Sequence, residues 1–278
     1  MAASIGKGDM SVAAILFDLD NTLIPTRKAD SKTCNKLNGI LTEEYGVPNE
    51  EADRATATFL RTFRRCPDNL EHDLDSWRIH LWSQALEEEY SHLANDIYLQ
   101  WLELRYHYLA VSPEILQLLS SLRDHYLLAL ITNGTSRAQW EKIDRLDLRC
   151  YFDSILVSGD LPWEKPDQKI FHECCQFLGV EPQHCIMVGD KLETDIQGGI
   201  EAELGATVWI PLKSEFTETP AVIPDYVIHN VIHLPDILSG NTSRSYDSKK
   251  LKSSGPKHAG MKIKNPTTSN DLNDNKSS

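Results

Sequence analysis

The sequence predicts an α/β protein, a doubly wound, Rossmann-like parallel sheet interrupted by an inserted helical bundle. Three observations carry this. Short apolar runs at residues 13–17, 127–131 and 185–188 have the continuity of strands buried on both faces. From Pro113 onward such runs alternate with helical patterns, which calls for crossover connections and therefore parallel pairing. Between the first run and Pro113 lies a stretch, from about Lys28 to about Leu109, with helical spacing and no convincing strand.

The first apolar run feeds straight into Asp18-Leu19-Asp20-Asn21-Thr22. The insertion then reads as four helices. Leu37, Ile40 and Leu41 mark the first, which ends at Gly46 before Pro48. Residues 52–63 form the second, closing near Cys66-Pro67. Leu74, Trp77, Leu81 and Ala85 share a face of the third, and Ile97, Trp101, Leu104 and Tyr108 share a face of the fourth. Trp77, Trp82 and Trp101 are expected in the core of this bundle.

After it, Pro113 opens a helix to Arg123, and residues 127–131 deliver Thr132-Asn133-Gly134. A helix over 136–146 and a strand over 154–158 follow, and a loop carries Glu164-Lys165-Pro166. A helix over 167–178 precedes the strand 185–188, which delivers Gly189-Asp190. Then come a helix over 193–204, strands at 207–210 and 226–228, and a short helix near 235–238. Residues 1–24 with 111–240 therefore form one discontinuous core domain, and 25–110 a helical cap domain. Residues 241–278, rich in Ser, Lys, Asn and Thr, are expected to be a disordered polar tail, because they bury too little apolar surface to fold.

Charge narrows the function. A net charge of −13 argues against binding nucleic acid or an anionic membrane surface. An acidic protein that takes an anionic substrate must concentrate positive charge locally, which a bound cation does. No secretory segment or membrane-length apolar run is visible, and the expected location is the cytoplasm. The six cysteines show no zinc-type spacing and are expected as reduced thiols.

Three strand ends carry polar groups: Asp18 with Asp20, Thr132 with Asn133, and Asp190. Ligands of open α/β sheets bind outside the carboxyl ends of the strands, so these groups should converge. Two carboxylates as close as Asp18 and Asp20 repel unless a positive charge lies beside them, and Mg²⁺ accepts carboxylates together with phosphate oxygens. As turn residues alone, Asp18 and Asp20 read equally well. Taken together, residues 18–22, Thr132-Asn133-Gly134, Lys165-Pro166 and Gly189-Asp190 with Asp195 resemble the four motifs of haloacid-dehalogenase-type phosphatases, over nearly all of residues 12–239.

That resemblance implies a Mg²⁺-dependent phosphatase. Asp18 would be the nucleophile that forms an aspartyl-phosphate, and Asp20 the acid and base. Asp18, Asp20 (through its backbone carbonyl) and Asp190 would hold the metal, and Thr132, Asn133 and Lys165 the phosphate. Asp195 would orient Lys165 or a metal-bound water. The second aspartate favours phosphoryl chemistry over dehalogenation, although a mutase would keep it too. Residues 189–199 and 207–210 resemble a sugar-phosphate phosphatase of that family more closely, so the expected partner is a small sugar phosphate. For a substrate that is also a carboxylate, Arg61, Arg64, Arg65, Arg78 and Arg105 are the available insertion cations, most of them expected on solvated faces. Hinges are expected at residues 24–27 and 110–113. A catalytically silent binding module of the same fold is the alternative.

Overall fold

A computed structural model describes residues 12–67, 73–212 and 222–239. The proposed tail and the first eleven residues lie outside them. Among the described residues six parallel strands form one sheet in the order β3-β2-β1-β4-β5-β6. They are β1 (Ala14–Phe17), β2 (Leu127–Thr132), β3 (Ser154–Val157), β4 (Cys185–Gly189), β5 (Ala206–Trp209) and β6 (Tyr226–Val227). Successive side chains of a strand face opposite sides, and the core divides accordingly. Ile15 and Phe17 join Leu128, Leu130 and Val188 in one apolar cluster, while Ala14 and Leu16 join Ala129, Ile131 and Met187 in another.

Helices cover both faces. Leu118, Leu119 and Leu122 of α5 (Pro113–Arg123) and Ile143 of α6 (Ser136–Arg145) pack on the first face. Ile170, Phe171, Cys174 and Cys175 of α7 (Gln168–Leu178) pack on the second. Ser112 and Asp167 cap α5 and α7 with their side chains, and Gly179 closes α7 in the left-handed region at φ 67°.

The insertion consists of α1 (Thr26–Glu43), α2 (Asn49–Phe63), α3 (Leu74–Ala85) and α4 (Ala94–Leu109), with an apolar cluster of its own. Phe59 stacks on Trp82 at 3.9 Å between centroids and meets Trp101 edge-on at 5.1 Å. Helix α1 begins eleven residues before Leu37, its first expected apolar position. Its early buried face includes Asp30 and Thr33, which a hydrophobic pattern does not register.

A second departure from expectation bears on the site. Residues 193–204 are not one regular helix: a π-type turn, Leu192–Ile196, precedes a short α8 (Gln197–Glu201). The Ile196 amide reaches back to the Lys191 carbonyl, and the Asp195 carboxylate accepts from the Lys191 amide. The widened turn lets Asp195 face inward. The closing helix α9 (Leu234–Leu238) lies where expected. Among the described residues no helix is long and apolar enough to cross a membrane.

Candidate active site

β1 lies at the centre of the sheet, beside β2 on one side and β4 on the other, where the strand order reverses. Crevices at such reversals, outside the carboxyl ends of the strands, are where open sheets take ligands. Asp18 follows β1 directly, its amide bonded to the Val188 carbonyl at 2.9 Å. A tight turn follows: Asn21 takes φ 66°, a region open to Asn, and the amides of Leu23 and Ile24 bond back to the Leu19 carbonyl. This folds Thr22 under Asp18, where its hydroxyl donates to Oδ2 at 3.1 Å.

Lys165 arrives from the loop between β3 and α7. Its ammonium lies 2.7 Å from Asp18 Oδ1, 2.7 Å from Asp195 Oδ1 and 2.8 Å from the Ile131 carbonyl. Asn133 fixes that loop with its amide group, donating to the Lys165 carbonyl at 2.7 Å and accepting from the Lys165 amide at 2.9 Å. The Asn133 side chain therefore holds Lys165 in place. Gly189 has a steric reason: a Cβ there would lie 2.3 Å from the Asp195 carboxylate, so only glycine lets Asp195 reach Lys165. Asp190 turns into the same space, its Oδ2 accepting from the Asn21 amide group at 3.3 Å.

Carboxylate oxygens of Asp18, Asp190 and Asp195, all three residues buried, fall within 4.8 Å of one another, an arrangement able to take a cation. Burial pushes the Asp18 acid up to about 6, against the pull of Lys165. Burial, with the charges of Asp18 and Asp195, pushes Asp190 up to about 7. Lys165 is lowered by burial but raised more by Asp18 and Asp195, and stays charged. Two buried oxygens at the site have no partner among the described residues, Asp190 Oδ1 and the Thr132 hydroxyl. Buried polar atoms without partners carry a desolvation cost that a ligand would relieve. Asp190 Oδ1 suits a hard cation, and Thr132 suits an acceptor such as a phosphate oxygen.

Asp20 stands elsewhere. Its carboxylate is outside that cluster and takes Lys142 Nζ at 2.8 and 2.7 Å, Gln139 Nε2 at 3.1 Å and the Thr26 hydroxyl. Burial works to raise this acid, but Lys142 dominates and holds it well below the usual carboxylate range. Sequence reasoning missed Gln139 and Lys142. The available signal was a lysine and a glutamine three apart on α6, on the side that also carries the buried Ile143.

The insertion arginines divide. Arg61, Arg64 and Arg65 are exposed, as expected of solvated faces, whereas Arg78 and Arg105 are buried. Arg105 bonds Asp30 at 3.1 Å and lies over the Phe63 ring. Arg78 reaches out of the insertion to α6 and grips both oxygens of Glu141, one of them at 3.0 Å.

Comparison with known proteins gives the family. A family profile described as haloacid dehalogenase-like hydrolase matches residues 12–203. The chain is 34% identical over 232 residues to N-acylneuraminate-9-phosphatase of Mus musculus, covering 82% of this chain and 94% of that one. It is 28% identical over 248 residues to glyceraldehyde 3-phosphate phosphatase of Pyrococcus furiosus, covering 88% and 99%. The crystal structure of a HAD phosphatase from Thermococcus onnurineus superposes with a TM-score of 0.56 at 27% identity, covering 84% of this chain and all of that one. The chain belongs to the haloacid dehalogenase-like hydrolases and is a phosphoric monoester hydrolase.

Proposed function

We propose that this enzyme hydrolyses N-acylneuraminate 9-phosphate to free sialic acid and phosphate, with Mg²⁺ as cofactor, in the cytoplasm. The observation that carries the reading is the buried group of Asp18, Lys165, Asp190 and Asp195 at the sheet's reversal point, in a chain about a third identical to N-acylneuraminate-9-phosphatases. Asp18 attacks phosphorus, the bond to the sugar oxygen breaks, and that oxygen takes a proton from Asp20, which must be protonated against the pull of Lys142 before it acts. Water then attacks the phosphorus of the aspartyl-phosphate and gives a proton to Asp20. The bond to Asp18 breaks, and phosphate leaves. Throughout, Lys165 and the Thr132 hydroxyl hold phosphoryl oxygens, and Asn133 and Asp195 hold Lys165. Asp18, Asp190 and the Asp20 carbonyl are the proposed Mg²⁺ ligands, and the bound ion offsets the charge of nucleophile and phosphate. The helices 25–110 act as a cap that swings on residues 24–27 and 110–113 to admit the ester.

A panel of esters tests the substrate. With Mg²⁺, kcat/KM for N-acetylneuraminate 9-phosphate is expected to exceed that for glyceraldehyde 3-phosphate, phosphoglycolate and nucleotides by at least ~10-fold, a modest demand on cap contacts. Asp18→Asn should reduce release to background. Better turnover of another ester removes the sialic acid assignment while keeping the phosphatase.

The metal assignment has a readout independent of turnover. Mg²⁺ binds the folded site only, so at ~100 times its Kd it adds about 2.7 kcal/mol of stability, seen as a higher melting temperature. Asp190→Asn should abolish that gain. An equal Mg²⁺ shift in both proteins places the cation elsewhere.

A further inference from the structure

Asp20 must be held in position to act as the acid. We propose that Lys142, with Gln139 beside it on α6, is the positioning residue for Asp20, fixing the acid apart from the Asp18, Asp190 and Asp195 carboxylates. This rests on the assignment of Asp20 as the acid.

The contacts are unusually complete for a single carboxylate. Lys142 donates to both oxygens, Gln139 to one, and Thr26 to the other. These donors come from two separate segments, the first residue of α1 and the middle of α6. Gln139 also donates to the Asn133 carbonyl at 2.6 Å, tying the acid to the loop that holds Lys165. Lys142 and Gln139 are themselves buried. Burying an ammonium is costly unless its partner is fixed and close, so a solvated surface pair does not account for this one. Position matters because the acid must meet the sugar oxygen within hydrogen-bond reach, and a misplacement of ~1 Å costs on the order of 10²-fold.

The leaving group separates this role from a merely structural one. The value of kcat/KM reports steps up to departure of the alcohol or phenol, and p-nitrophenolate departs without a proton. Lys142→Met and Lys142→Gln are compared with wild type on p-nitrophenyl phosphate and on N-acetylneuraminate 9-phosphate. Glyceraldehyde 3-phosphate serves as the alkyl ester if the sugar ester is not turned over. The expected result is a fall of ~10²-fold in kcat/KM on the alkyl ester against less than ~3-fold on the aryl ester. Lys142→Arg, which keeps the charge, should recover most of the loss. Asp20→Asn should show the same selectivity, and adding Lys142→Met to it should cost nothing more. Equal falls on both esters, or no fall on the alkyl ester, overturn the proposal. If Lys142→Met does not fold, Gln139→Leu carries the test, with the same alkyl-selective loss expected and its absence counting against the idea. An Asp20→Asn variant without selectivity refutes the acid assignment itself, a different failure from that of Lys142.

Discussion

Lys165→Met is expected to damage both stability and turnover, lowering stability by ~3–5 kcal/mol and kcat by at least ~10³-fold. The ammonium serves two buried carboxylates at once, 2.7 Å from each, and is itself almost fully buried. Methionine fills a similar volume but leaves Asp18 and Asp195 facing each other without a cation. Neither can turn to water, so the pair must protonate or the site must open. Protonation disarms the nucleophile, because burial already pushes the Asp18 acid up to about 6 with the lysine present. Urea unfolding measures the first effect and steady-state turnover the second. A variant with wild-type stability and kcat within ~3-fold would mean that the lysine balances neither charge.

Arg78→Ala should cost a similar ~3–5 kcal/mol, although Arg78 belongs to the insertion and takes no part in the proposed chemistry. Its guanidinium is buried, lies over the Trp101 ring at 5.4 Å and holds both oxygens of Glu141 on α6. Alanine strands Glu141, which is largely screened from solvent and whose other ion pair among the described residues is with the exposed Arg145 at 3.3 Å. Replacing both partners with apolar residues should be milder than removing one, since no charge is then left buried. The effect is pH-dependent in a defined direction. Burial raises the Glu141 acid, but hydrogen bonds and charge from Arg78 outweigh it and hold the acid below its usual range. A carboxyl lowered by folding adds stability above its unfolded value of about 4.3, and that stability is lost as pH falls through the folded value. The gap between wild type and Arg78→Ala should therefore be wide at neutral pH and close below about pH 4. A gap that widened on acidification would contradict the pairing.

Where the strands lie was legible in the chain because a strand buried on both faces must be apolar throughout. The runs at 127–131 and 185–188 could satisfy that requirement in few other ways. Asp18 and Asp190 were legible as acids at strand ends, Lys165 and Asp195 only through the resemblance to the family's motifs, and the structure brings all four together. The early part of α1 was not, because its buried Asp30 and Thr33 look solvated until Arg105 and the packing around them are known. The π-type turn was hidden too, as its purpose is to aim Asp195 at a lysine thirty residues earlier.

The sequence by itself determined the parallel sheet, the helical insertion and the acids at the strand ends, because burial dictates residue type along a continuous stretch. Only the tertiary structure decided which partner each buried charge would have. Lys142 meets Asp20 across 122 positions, and Arg78 meets Glu141 across 63. Such pairings leave no local periodicity, since the energy that selects them arises only when chain folding removes water from both groups.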